Sequence, residues 1–257
     1  MPPIRTLPVM HARFYHPEKI AIGQSIALSD ENKHHAARVL RLKAGDAVTL
    51  FTGEGGEFSA QIEAITKSST TVSVQAYLDI DRESPLTVEL AQAVCVNEKM
   101  DWIIQKAVEL GVSRIQPVAA ARSIVHLSGD RAAKRLQHWQ KIIVSACEQC
   151  GRNRLPRIFP LLDLPEWLSR KKASQSDQEV RLMLSTRAAE GLRNRPQPSA
   201  DADVVICIGP EGGFTPEEET AMLHTNFAPL HLGKRIFRTE TAALAAIAAM
   251  QTLWGDY

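Results

Sequence analysis

The apolar run Asp203-Val-Val-Ile-Cys-Ile208 passes straight into Gly209-Pro-Glu-Gly-Gly-Phe-Thr-Pro-Glu-Glu-Glu219, and this junction constrains the chain more than any other stretch. A short β-branched run that stops at a glycine reads as a buried strand ending at Gly209. Thr215, Pro216 and Glu218 then stand as N-cap, N1 and N3 of a helix: a capping box with the favoured proline. Strand, glycine loop and helix start, in that order, place the loop at the carboxyl end of a parallel strand, where open α/β sheets take their ligands. Glycines there let the backbone approach a ligand closely. The spacing fits neither G-x-G-x-x-G nor a phosphate loop, which needs Gly-Lys followed by Ser or Thr. Glu211 suits a ligand with positive charge or donor groups better than a phosphate. On these residues alone, a plain strand–turn–helix connection remains the alternative.

A second junction repeats the pattern. Leu230-His-Leu-Gly233 reads as the end of a short strand, Lys234, Arg235 and Arg238 follow, and an alanine-rich helix begins that Thr239 is expected to cap. Two strand ends of this kind can line one pocket. Strands are expected at 86–96, 114–118, 180–184 and 203–208. Helices are expected at 98–110 with Gly111 as C′ residue, at about 130–150 and at about 239–253. Segments 169–179 and 187–202 read as loops. The alternation makes residues 86–257 an α/β domain with a parallel sheet.

Residues 1–80 follow another rhythm. Strands at 47–51 and 58–65 flank a glycine-rich hairpin turn, 70–77 is a third strand, and a helix at about 30–40 takes Ser29 or Asp30 as cap. Several short strands with turn signals imply a small β-barrel. The first ten residues read as an extension, with Met10 as an alternative start. Residues 79–85 read as a linker. At 257 residues, two domains are expected.

No apolar run approaches the ~18 residues of a membrane span, and no secretory leader is visible. Net charge is only +1, but the cations cluster. Residues 33–43 carry Lys33, Arg38, Arg41 and Lys43 with no acid, and residues 131–157 carry seven Lys/Arg against Glu148 alone. Two such clusters suggest a local anionic contact; the alternative is two solvated helix faces. Cys147 and Cys150 have no second pair with which to bind zinc, so no metal is expected, and the four cysteines read as thiols in a reducing cytoplasm.

The two junctions together, Gly209-Pro-Glu-Gly-Gly-Phe-Thr-Pro-Glu-Glu and Leu232-Gly-Lys-Arg-Ile-Phe-Arg-Thr-Glu-Thr-Ala242, resemble the RsmE family of ribosomal RNA (uracil-N3) methyltransferases, of the SPOUT class. Further matches are Arg13-Phe-Tyr15, His34-His-Ala-Ala-Arg-Val-Leu-Arg41, Lys99-Met-Asp101, Glu109-Leu-Gly111 and Gln149-Cys-Gly-Arg152, so the resemblance runs from about residue 11 to the end. It implies a PUA-like RNA-binding barrel, then a SPOUT α/β domain with a deep trefoil knot. It further implies a homodimer acting on uridine 1498 of 16S rRNA in the 30S subunit.

S-adenosylmethionine would be held by three loops: Leu184, Ser185 and Thr186; Ile208 with Gly209, Pro210, Glu211, Gly212 and Gly213; and Leu232, Gly233, Ile236, Phe237, Arg238 and Thr239. Ile208, Leu232 and Ile236 would wall the adenine. Arg235 and Arg238 would stabilise the uracil anion, and Glu211 or Glu240 would take the N3 proton. RNA contacts are expected from Arg13, Lys33, His35, Arg38 and Arg41, and from Lys99, Arg122, Arg152, Asn153 and Arg154. The alternatives are a ribose 2′-O-methyltransferase of the same class, against which Arg238-Thr-Glu-Thr241 argues, and a catalytically silent RNA-binding factor.

Overall fold

Alternation shapes the first part of the chain. In the computed structural model, which describes residues 11–125, 127–174 and 178–257, five strands form one sheet. They are β1 (Ala12–Tyr15), β2 (Ser25–Ala27), β3 (Ala47–Phe51), β4 (Glu57–Ile65) and β5 (Thr70–Leu78), in the order β1-β3-β4-β5-β2. Val48 and Leu50, Ala60 and Ile62, and Val72 and Val74 are buried at every second position, so one face carries the core with Phe14 and Ile26. Neighbours are antiparallel except β1 on β3. Between β2 and β3, α1 (Asp30–His34) starts at Ser29, whose hydroxyl accepts the Asn32 N–H, and the chain continues as a π-helical turn over His35–Val39. The expected extension and second start at residues 1–10 lie outside the described residues.

From Val88 the period changes. Seven strands form the second sheet among the described residues: β6 (Val88–Ala93), β7 (Arg114–Ala119), β8 (Arg157–Ile158), β9 (Leu162–Asp163), β10 (Glu179–Leu184), β11 (Asp203–Ile208) and β12 (Ala228–Leu230). Every pairing is parallel, in the order β12-β10-β11-β6-β7-β8, with β9 also on β7. β6 is buried along its whole length, and β11 beyond its first residue, as strands covered on both faces must be. β6 comes first in the chain yet lies between β7 and β11, so the sheet grows from it in both directions. Crevices open at the carboxyl ends of strands at such a switch.

The helices are α2 (Asn97–Glu109), α3 (Gly129–Cys150), α4 (Leu164–Ala173), α5 (Pro216–Leu223) and α6 (Thr239–Trp254). Gly111 follows α2 with φ +86°, the left-handed conformation of a C′ residue. Three expectations change. Helix α4 covers part of the segment read as loop, because its apolar residues Leu164, Trp167 and Leu168 precede or border the polar stretch that suggested one. A 3₁₀ turn, Leu192–Asn194, interrupts the second expected loop. β12 ends at Leu230, before Gly233.

The chain divides into two units. One holds residues 11–82 and Cys147–Leu155, the other Glu83–Ala146 and Pro156–Tyr257. The end of α3 and the Gly151-Arg-Asn-Arg154 segment therefore belong with the first sheet, whereas the sequence placed them in the C-terminal domain. Within that unit Arg154 bridges to Gly53 of the glycine hairpin, and Asn153 meets Arg13. No helix among the described residues is long and apolar enough to cross a membrane.

Candidate methyl-donor cleft

The segments that follow β6, β7, β10, β11 and β12 leave the second sheet at its carboxyl edge and line one cleft of about 850 Å³. After β11 the chain turns tightly, with the Gly213 N–H donating to Pro210 O at 2.9 Å. A Cβ on Gly209 would lie 3.3 Å from Gly213 Cα, a tight approach at which the returning turn would have to give way slightly. The capping box forms as expected: Thr215 Oγ1 accepts the Glu218 N–H at 3.2 Å, and Glu218 Oε2 accepts the Thr215 N–H at 2.8 Å. After β10, Ser185 donates to Glu219 Oε1 at 3.1 Å, and Arg187 pairs with the same carboxylate at 3.3 Å.

After β12, His231 Nδ1 accepts the Gly233 N–H at 3.0 Å. Lys234, Arg235 and Arg238 line the cleft, and their side chains make no hydrogen bond or ion pair with other described residues. Thr239 does not cap α6. Arg238 is the N-cap, and Thr239, buried as the first helical residue, donates its hydroxyl to Gly209 O at 2.6 Å and accepts Gln92 Nε2 at 3.0 Å. One threonine thus ties the turn after β11 to the loop after β12. Gln92, fully buried on β6, was missed; the signal was a lone amide inside an apolar strand.

The two glutamates differ. Glu211 lines the cleft and Glu240 does not. Lys99 Nζ donates to Glu211 Oε1 at 3.1 Å and lies 3.7 Å from Glu240 Oε2. Glu211 Oε1 also accepts the Val96 N–H at 3.3 Å. Burial opposes ionisation of Glu211, but these hydrogen bonds and the Lys99 charge outweigh it and hold its carboxyl below the usual range. That makes Glu211 a poor proton acceptor. Burial, with Glu211 and Glu240 nearby, pushes the Cys95 thiol up to about 12, so it stays protonated.

Every residue expected to hold the donor lines this cleft. Ile236, however, is 81% exposed and forms no closed wall. Of the expected RNA contacts, Lys99 is committed to the glutamates, and Arg122 to Gly212 O at 2.9 Å and Phe214 O at 3.3 Å. In the first unit, Arg13 is buried against Glu57, Asn153 Oδ1 and Arg152 O, and Arg152 and Asn153 are buried too. Arg154 is held by Asp81 at 3.2 Å and by Glu54 O at 2.7 Å. Lys33 pairs with Asp30. Lys33, Arg152 and Arg154 belong to the two basic clusters, and a charge count does not separate a cation paired within the fold from one left for RNA. His35, Arg38 and Arg41 remain exposed on or beside the π-helical turn. Among the described residues no cluster of His, Cys, Asp and Glu forms a metal site.

Comparison with known proteins agrees with this geometry. A family model described as RNA methyltransferase domain matches residues 82–251, and one described as RNA methyltransferase PUA domain matches 28–75. The chain is 34% identical over 253 residues to ribosomal RNA small subunit methyltransferase E of Buchnera aphidicola (subsp. Schizaphis graminum), covering 98% of each. A ribosomal RNA small subunit methyltransferase E from Neisseria gonorrhoeae, solved bound to S-adenosyl methionine, superposes with a TM-score of 0.88 at 42% identity, over 96% of this chain and 99% of that one. A Legionella pneumophila structure in complex with bound SAM gives 0.89 at 38%, over 97% and 100%. A glycine turn and a basic loop joined at the carboxyl edge of a parallel sheet, matched over nearly the whole chain, place this protein in the RNA methyltransferase family that includes ribosomal RNA small subunit methyltransferase E.

Proposed function

We propose that this chain transfers a methyl group from S-adenosylmethionine to N3 of a uridine in 16S rRNA of the 30S subunit, uridine 1498 by family likeness. The observation that carries this function is the pair of unpaired guanidiniums, Arg235 and Arg238, on a cleft loop anchored through Thr239 to the glycine turn. The cleft residues fit the donor. About 850 Å³ is ample for a ligand of that size. Ile208, Leu184 and Leu232 offer apolar surface to the adenine, and Glu211 offers an anion to a positively charged ligand. S-adenosylmethionine, when bound, supplies an electrophilic methyl on a sulfonium sulfur.

Uracil N3 attacks only after losing its proton. Arg235 and Arg238 are assigned to donate to O2 or O4 and stabilise the resulting anion. Glu211 is held ionised and Glu240 lies off the cleft, so the proton is assigned to water rather than to either glutamate. His35, Arg38 and Arg41 are assigned to RNA, with the cations meeting phosphates.

Family membership supports the finer fold as well: closure of the first sheet into a PUA-like barrel, and a trefoil knot in the last part of the chain. It also supports a homodimer. A second hollow, of about 670 Å³ and lined by Ala245, Ala249 and Leu253 of α6 with Leu192, offers a surface for that contact. A ribosomal substrate supports a cytoplasmic location.

The test offers labelled S-adenosylmethionine to 30S subunits from a strain lacking this protein. Label is expected on one base, at N3 of a uridine. Label on a ribose, or none, would overturn the proposal.

A further inference from the structure

We propose that Lys99 is a positioning residue for the methyl donor: its ammonium ties Glu211 and Glu240 together, so that Glu211 is presented to the cleft as a fixed anion facing a cationic ligand. This role rests on the donor binding in the cleft, as proposed above.

Three segments distant in sequence meet at this ammonium. Lys99 comes from the first turn of α2, Glu211 from the turn after β11 and Glu240 from the first turn of α6. The Glu211 carboxylate also accepts the N–H of Val96, the N-cap of α2, where no side chain of that helix supplies a cap. Glu211 therefore caps α2 from another loop, and positive charge meets it from both the helix end and Lys99. Glu240 Oε2 is buried and has no hydrogen-bond partner among the described residues, so the Lys99 charge 3.7 Å away is what offsets it. The groups facing Glu211 are Lys99 on α2, Glu240 on α6 and the protonated thiol of Cys95 just beyond β6. With Lys99 present the cluster carries one net negative charge. Without it, two carboxylates share a half-buried site and one proton between them. The net charge is then the same at the acid end, but Glu211, the carboxylate that lines the cleft, is no longer held as the anion.

A positively charged donor should sense that change, and its neutral thioether product should not. S-adenosylmethionine and S-adenosylhomocysteine differ at the sulfur but share an α-amino group that is protonated in both at the acid end of the range, so the ratio of their affinities there reports the sulfur.

The experiment measures both dissociation constants by calorimetry between pH 5.5 and 8, on the full-length wild type, Lys99→Met and Lys99→Arg. In the wild type the ratio is expected to stay flat. In Lys99→Met, sulfonium binding should weaken by about tenfold more than thioether binding at the acid end, equivalent to one unit of carboxylate shift. Lys99→Arg should restore the flat ratio. Equal loss of both ligands at every pH in Lys99→Met, with a native circular dichroism spectrum, would make Lys99 merely structural and overturn the inference. So would a ratio as flat as in the wild type. If Lys99→Met does not fold, Lys99→Arg with Glu211→Gln decides. Glu211→Gln must then lower the ratio of sulfonium to thioether affinity below that of the wild type at all pH values, and an unchanged ratio overturns the inference. A wild type that binds neither ligand instead defeats the proposed function, so the two failures are distinguishable.

Discussion

Arginines in two parts of the molecule receive opposite treatment. In the first unit, Arg13 and Arg82 converge on Glu57: Arg82 donates to its two oxygens at 2.8 and 3.2 Å, and Arg13 adds Asn153 Oδ1 and Arg152 O. In the second, Arg235 and Arg238 sit on a cleft loop with no side-chain partner among the described residues. A buried guanidinium must have its charge met within the protein, or folding leaves it stranded away from water. An exposed guanidinium on a short loop carries no such penalty, and its planar fork of donors stays available to a ligand. Pairing therefore separates arginines that hold the fold from those left available to a ligand, a distinction the residue type alone does not carry.

Breaking the paired side should have the largest effect. Glu57→Gln leaves Arg13 uncompensated and should destabilise the first unit by about 3–5 kcal/mol. Chemical denaturation followed by probes in each unit would show one transition moving and the other staying. Burial raises the Glu57 carboxyl, but the Arg82 and Arg13 guanidiniums outweigh it and hold it at about 2, against 4.5 ordinarily. A carboxylate depressed on folding contributes stability that is complete above its unfolded value and lost as pH falls through its folded value. Acid titration of the wild type should thus weaken this unit between about 4.5 and 2, and Glu57→Gln should flatten that dependence. A first unit indifferent to the substitution would end the distinction drawn above.

On the unpaired side, Arg238→Ala should lower single-turnover methylation by about 10²–10³-fold, the usual cost of a lost anion-stabilising donor. Affinity for S-adenosylmethionine should change by less than about threefold, since the guanidinium is assigned to the uracil. A larger loss of donor binding than of turnover would reassign it. Thr215→Ala tests the scaffold between the two extremes. Loss of the capping box should cost about 1 kcal/mol in thermal unfolding of the second unit without abolishing methylation. The smallest change is expected from Arg38→Ala and Arg41→Ala. Each should leave stability within about 0.5 kcal/mol and reduce the salt dependence of RNA binding by about 0.7–0.9 in slope. An unchanged slope would remove both residues from the RNA surface.

Much of the second sheet was legible in sequence. The apolar run at β11, the capping box at Thr215 and the C′ glycine at 111 are signals carried by residues within a few positions of one another. The loops that line the cleft were legible for the same reason, since each follows a recognisable strand. Helix α4 was not, because the polar residues after Leu168 outnumber its short apolar stripe. Thr239 looked like a cap because it has the right chemistry beside a helix; instead its hydroxyl bonds Gly209, 30 residues away, and α6 starts one residue earlier. Lys99 and Arg122, expected to contact RNA, meet partners within the fold of which a positive charge in the sequence gives no hint.

Sequence by itself determined the type and order of most strands and helices and which loops carry glycine or charge, because those features depend on periods of two or about four residues. Tertiary structure alone decided which charges are spent. Arg13 meets Asn153 across 140 residues, and Lys99 meets Glu211 across 112. Both pairings follow from the order in which strands assemble into sheets, and no local period encodes that order.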